Sequence, residues 1–296
     1  MNDATFLTVS DVVAHVKSRF NFSVDKFRLS GPENLRTPFY GLFRSDNMEC
    51  VGDSVRAGYE PHQTEDVVAV VEAAGRVFNG VADVRCHFNN GHHLIIQPTR
   101  ESRLNVYGTK DSVFPRVMVS ARYDGKAFKA TLGFYRDACK NLSRIRSVSS
   151  SSVSITHTSG LRSKMESLIA TFEHLDSTWE SITTTIRLME ATTVNLASFL
   201  DAIYDAPSDS SRSATLHKNR TEAIIRRVVS ERIKTGRPDL GSDLMVSGWE
   251  AYNAVQGYVQ HEKSRRGDIG MFDRVLMADT DPSVAMAEAH VMSLAS

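Results

Sequence analysis

Residues 122–158, RYDGKAFKATLGFYRDACKNLSRIRSVSSSSVSITHT, are where the chain changes character. Ahead of this stretch the sequence is built of short alternating runs, and behind it of long helical periods. Val117–Tyr123 and Phe128–Phe134 alternate apolar with polar residues, and Asp124-Gly125 between them is the turn chemistry of a tight hairpin. From Arg122 to Arg146 there are seven Lys or Arg against two Asp, interleaved with Tyr123, Phe128, Phe134 and Tyr135. The run Ser147–Ser152, with Val148 its only apolar member, reads as a flexible linker or exposed loop.

Working outward toward the N-terminus, Thr8–Phe20 has Val9, Val12, Val13 and Val16 at helical spacing behind a Thr8 or Ser10 cap. Phe39–Phe43 and Val51–Val55 flank the turn residues Ser45-Asp46-Asn47 and predict a hairpin. Thr64–Phe78 places Val67, Val70, Val71, Ala74 and Val77 on one helical face, with Glu65 and Asp66 in the first turn. Further strands are expected at Val81–Phe88, Leu94–Gln97 and Val106–Tyr107. Toward the C-terminus, Leu161, Met165, Leu168, Phe172, Leu175, Trp179, Ile182, Ile186 and Met189 follow a 4-3-4-3 spacing. Such a heptad stripe predicts one long helix near residues 161–190, packed on its own domain or paired in an intermolecular coiled coil. Helices are also expected at Val194–Tyr204, Leu216–Lys234, Ser247–His261 and Pro282–Leu294. The pattern predicts an α+β protein: a twisted antiparallel sheet with packed helices over residues 1–150, then a mainly helical region over 151–296.

Composition narrows the setting. The chain carries 35 basic and 35 acidic side chains, but residues 1–160 are +4 and residues 161–296 are −4. Overall neutrality argues against a dedicated polyanion-coating protein. Three isolated cysteines, Cys50, Cys86 and Cys139, suit a reducing cytoplasm better than a disulfide framework. The opening MNDATFLTVSD has no signal-peptide pattern and no apolar run approaches a membrane span, so a cytoplasmic protein is expected.

Catalytic signals are thin. His87, His92 and His93 with Asp83 and Cys86 offer ligand types for a metal, but adjacent histidines on a strand point to opposite faces. Polar turn histidines are the plainer reading, and no cofactor or metal is expected. Cys139 with Asp137 and His157 has the residue types of a thiol nucleophile, against which stands the common role of a buried cysteine as a small packed residue. Phosphate-loop, dinucleotide, zinc-protease and serine-hydrolase motifs are absent from the sequence, which favours a non-enzyme.

Tyr123-Asp124-Gly125, Arg136, Cys139-Lys140-Asn141-Leu142 and His157-Thr158, followed by the segment 248–261, GWEAYNAVQGYVQH, resemble a known pattern. With Arg44-Ser45-Asp46 and the segment 51–59, VGDSVRAGY, they resemble the phage- and plasmid-borne family catalogued as domain of unknown function nine-three-two, over roughly residues 38–290. The resemblance implies a mobile-element origin and an intracellular setting. It implies neither an activity nor catalytic residues.

Charge and rings together give the functional expectation, which is single-stranded nucleic acid binding by an oligomer assembled through its helical half. Cations track phosphates and flat rings stack bases. The candidate contacts are Arg122, Tyr123, Lys126, Phe128, Lys129, Arg136, Lys140, Arg144 and Arg146, with Arg136, Lys140 and Arg144 sharing a face if the segment is helical. A solvated charged hairpin with core aromatics is the competing reading. A protein-interaction module that uses the heptad stripe to engage a host factor is the alternative function.

Overall fold

The computed structural model describes residues 8–77, 80–98, 103–108, 110–204, 211–263 and 270–295. In chain order it begins with α1 (Val9–Arg19), β1 (Val24–Ser30), β2 (Arg36–Arg44), β3 (Cys50–Arg56) and α2 (Thr64–Val77). Seven further strands and a helix follow: β4 (Val81–Phe88), β5 (Gly91–Pro98), β6 (Leu104–Val106), β7 (Asp111–Arg122), β8 (Phe128–Arg136), β9 (Asn141–Ser143), β10 (Ser152–Ile155) and α3 (Leu161–Thr171). The remainder is α4 (Leu175–Ala191), β11 (Thr193–Asn195), α5 (Leu196–Ile203), α6 (Ser211–Thr235), β12 (Met245–Ser247), α7 (Gly248–Gly257), α8 (Met271–Thr280) and α9 (Pro282–Ala295). The fold is α+β, with antiparallel sheets and a mainly helical C-terminal region.

The chain forms two compact units, each assembled from three separate segments. The first takes Met1–Glu101, Pro115–Leu132 and Ser150–Thr178; the second takes Ser102–Phe114, Gly133–Ser149 and Trp179–Ser296.

In the first unit, Thr8 caps α1 by accepting from the Asp11 backbone N–H, and Val12 and Val16 are buried. Of the stripe predicted on α2, Val67, Val70, Val71 and Ala74 are fully covered and Val77, at the helix end, is half-buried. One sheet has the order β1-β2-β3; the other runs β10-β8-β7-β5-β4. The hairpin expected at Asp124-Gly125 joins β7 to β8, with Gly125 at φ 80°, a conformation that glycine adopts without strain. β1, with its charged and apolar residues intermixed, escapes the sequence reading; it pairs along β2 from Val24↔Arg44 to Ser30↔Arg36.

In the second unit β6 pairs with the start of β7, and β9 with the end of β8. Residues 136–146 are therefore not helical: Arg136 ends a strand, a turn follows with Lys140 at φ 57°, and Asn141–Ser143 form β9. The four-residue spacing of Arg136, Lys140 and Arg144 does not produce a shared helix face. α7 starts with a capping box between Ser247 and Glu250, and all ten of its residues are buried. α8 is a further helix that the sequence reading passes over.

The heptad stripe is split by a 3-10 turn at Phe172–His174, so two helices stand where one is expected. All nine stripe residues are at most 6% exposed within this single chain. Among the described residues no helix is long and apolar enough to cross a membrane.

Candidate nucleic-acid interface

Burial and pairing sort the residues expected to touch nucleic acid. Tyr123 is wholly buried in the first unit with Val24, Leu42, Val51, Val55 and Tyr59. Its ring stacks on His62 at 4.3 Å between centroids, and its hydroxyl donates to the His62 carbonyl at 2.9 Å. Phe128 is equally buried and meets His62 edge-on. Neither ring offers a face to a base. Arg122 donates through Nε to Asp124 Oδ2 at 2.7 Å, while Lys126, 69% exposed, stands 3.7 Å from the same carboxylate. Lys129 is half-buried.

The remaining candidates lie in the second unit. Arg136 is buried: Nε and Nη2 reach Asp111 at 2.9 and 2.7 Å, and Nη1 donates to Glu231. Burial disfavours this guanidinium's charge, but Glu231 and Asp111 outweigh that and hold its pKa well above the ordinary value. Arg144 pairs with Asp279. Arg146 donates through Nη2 to the carbonyls of Ala278 and Asp279 and lies 3.7 Å from Glu288. Lys140 is exposed. Segment 122–146 is therefore not an open basic strip. Linear charge counting misses this because the neutralising acids arrive from α6, α8 and α9, far away in sequence.

Cys139 is buried against Arg136 Nη1, 3.7 Å away, and burial pushes its thiol up to about 12. A thiol so protonated is a poor nucleophile at neutral pH. Its neighbours Asn141–Ser143 are tied to α7 and the helical turn that continues it through Glu262. Asn141 Nδ2 donates to the Asn253 carbonyl, its Oδ1 meets His261 Nε2, the Leu142 N–H donates to Gln260, and Ser143 donates to Gln256. Asn141, Ser143, Asn253, Gln256 and Gln260 thus belong to a buried hydrogen-bond network.

The histidines of the first unit form a second buried cluster. His62 Nε2 and His92 Nδ1 are 2.8 Å apart, and the His157 ring lies 5.1 Å from His62. His62 Nδ1, His92 Nε2 and His157 Nε2 have no hydrogen-bond partner. Burial lowers all three pKa values, His62 well below its ordinary value and His92 to about 3, so the cluster is neutral at physiological pH. No three His, Cys, Asp or Glu side chains among the described residues converge as metal ligands.

Exposed rings occur on a surface that the sequence reading does not single out. The pairing Asp25↔Phe43 and Phe27↔Gly41, with the two-residue alternation of β2, puts Phe27, Leu29, Phe39, Gly41 and Phe43 on one face of the β1-β2-β3 sheet. The opposite face carries the buried Val24 and Leu42. Phe27 is 47% exposed, and Phe39 and Phe43 are half-buried. Phe27 and Phe43 meet edge to face at 5.7 Å, and the Arg56 guanidinium sits 4.8 Å from the Phe39 ring centre. Gly41 makes the platform flat: a Cβ there would fall 2.7 Å from the Phe43 ring. Arg28 and Arg36 are exposed on the same strands. The signal was legible in Phe39-Tyr40-Gly41-Leu42-Phe43, but its partner strand β1 was needed to show which rings face out.

Residues 52–287 match the family model described as Domain of unknown function (DUF932). No curated protein and no solved structure matches the chain.

Proposed function

The chain belongs to the DUF932 family, which is defined without an activity, and from the chain's own surface we propose that it binds single-stranded nucleic acid, its bases stacking on the outward face of the β1-β2-β3 sheet. One observation carries this reading: three phenylalanines on the open side of a three-stranded sheet, with a guanidinium over one of them. A half-exposed ring such as Phe27 keeps apolar surface in water that a base would cover. Every base has a π-face, and stacking is worth about 1–3 kcal/mol per base with little regard to sequence. Paired bases in a duplex keep those faces to themselves, which selects single strands. Arg56, whose guanidinium lies over Phe39, provides the adjoining phosphate contact, whereas Arg28 pairs opposite Tyr40 and belongs to the other face. Asp25 and Asp53 on the same strands oppose a polyanion, so stacking and not bulk charge supplies most of the affinity. The rings Phe27, Phe39 and Phe43 lie ahead of residue 52, where the family match begins, so the reading concerns this chain and not its family. The family resemblance would place it on a mobile element, whose replication and recombination expose single strands.

The test is fluorescence anisotropy with a labelled oligothymidine and with the corresponding duplex. Phe27→Ala together with Phe39→Ala should weaken single-strand binding by tenfold or more, on the order of the ~1–3 kcal/mol lost per unstacked base. Arg56→Glu should flatten the salt dependence by roughly one phosphate contact. Unchanged affinity in a double variant with native circular dichroism would sink the proposal. The alternative module built on the heptad stripe, and assembly of an oligomer through it, would need that stripe at the surface; at 6% exposure or less it is committed to the chain's own core.

A further inference from the structure

The second unit contains a cavity of about 200 Å³ beside α6. It is smaller than the ~300–1,000 Å³ of a typical cofactor site, and sized for a compact polar group. α6 lines it with Arg226, Arg227, Ser230, Glu231 and Lys234, and Cys139 also lines it. Arg226, Ser230 and Lys234 stand at i, i+4 and i+8 on one side of the helix. A tetrahedral anion over Ser230 therefore has one cation about 5–6 Å along the axis in each direction. Arg226 is 70% exposed and its nearest acid, Glu222, is 3.8 Å away, so its charge is weakly engaged.

The cavity also contains a buried, unsatisfied acceptor. Glu231 is 4% exposed; its Oε2 accepts from Arg136, while its Oε1 has no hydrogen-bond partner. Arg227 Nε, 3.4 Å from that oxygen, likewise lacks one. Arg227 is fixed by Glu262 at 2.8 Å and lies along α7, where a Cβ at Gly257 would fall 2.0 Å from Nε. Arg136 shares its charge between Glu231 and Asp111, and Arg227 shares its charge between Glu231 and Glu262, which also lines the cavity, so these carboxylates are partly offset and the anion is held by the outer cations Arg226 and Lys234. The Glu231 Oε1, held only by the ion pair to Arg227, can accept a hydrogen bond as well. A bare anion satisfies the cations but gives that oxygen no hydrogen bond, whereas a hydroxyl-bearing one supplies the missing donor.

We propose that this cavity binds a phosphate group that carries or adjoins a hydroxyl: the anionic oxygens on Arg226, Ser230 and Lys234, the hydroxyl donating to Glu231. Such a group is presented by inorganic phosphate, by a sugar phosphate, or by the 5′-phosphorylated end of an RNA strand, whose ribose supplies a 2′-hydroxyl. The site does not depend on the ring face of the first sheet, and either can fail without the other.

Thermal unfolding and calorimetric titration of the full chain, at constant ionic strength, test it with inorganic phosphate, ribose 5-phosphate and sulfate. Phosphate and ribose 5-phosphate should bind saturably, at least about tenfold more tightly than sulfate, which at neutral pH has no hydroxyl to donate. Arg226→Glu with Lys234→Glu, both exposed and therefore harmless to the fold, should abolish saturable binding. Lys126→Glu, in the other unit, should leave it intact. A 5′-phosphorylated oligoribonucleotide that outcompetes its 5′-hydroxyl twin identifies a strand end as the source of the phosphate. Equal competition by the twins, with ribose 5-phosphate still binding, identifies a free sugar phosphate. An equal response to phosphate and sulfate, or binding that survives the double reversal, overturns the proposal.

Discussion

Arg136 illustrates why a residue's charge cannot be read without its partners. In sequence it is the centre of a basic run; in the fold it is the buried link between Asp111 on β7 and Glu231 on α6. Removing one member of such a set leaves uncompensated charge in a low-dielectric interior. Arg136→Met should cost about 3–5 kcal/mol in urea unfolding, whereas replacing all three with apolar residues of similar volume should cost far less. A loss below roughly 1 kcal/mol for the single change would show that water reaches the carboxylates. Tyr123 gives the same lesson for rings: it stands beside the Asp124-Gly125 hairpin turn, yet just past the end of β7 its amide bonds the Asn90 carbonyl and its ring lies inward on His62. Side-chain direction depends on which neighbour a strand pairs with, and that neighbour is not written nearby.

Elements with a strong local period were the most legible. α2 and the stripe through α3 and α4 are buried where their spacing put them. The break at Phe172–His174 was not legible, because a 3-10 turn preserves the apolar spacing while tightening the backbone. Ile186→Ala on α4, fully buried, should destabilise by about 2–5 kcal/mol in urea or thermal unfolding. Because the stripe is internal, that loss should be the same at any protein concentration; a midpoint that rises with concentration would instead indicate pairing between chains. The segment after Arg136 shows the opposite case. Its residues have helical spacing, but Asn141 and Leu142 are held by partners 112 and 118 positions away, and those bonds dictate β9. Local pattern loses wherever a buried backbone group has a distant partner to satisfy.

For the molecule as a whole, the opposite charges of the two halves are largely spent inside the fold, as Arg136, Arg144 and Arg146 each take an acid from beyond residue 230. Acid should unfold the protein through its neutral histidines. The folded-state pKa values of His62, His92 and His157 lie below the unfolded value of about 6.5, so below that pH the unfolded chain binds more protons. Stability should be level above about pH 6.5 and fall as pH drops toward 3, each histidine contributing up to about 1.4 kcal/mol per pH unit. His157→Gln should make the decline of the urea midpoint shallower by one proton. A midpoint flat between pH 6.5 and 5 would contradict the neutral cluster.

The interleaving of the two units also bears on how the chain is made. Glu231 follows Arg136 by 95 residues, and Glu288 follows the Arg146 amide by 142. At synthesis rates of about 5–20 residues per second, the arginines are incorporated roughly 5–30 s before their acids. During that interval residues 133–149 are a nascent cationic tether attached to a first unit that is otherwise almost fully translated. Completion of the second unit must wait until α9 has been translated, long after its cations have been made.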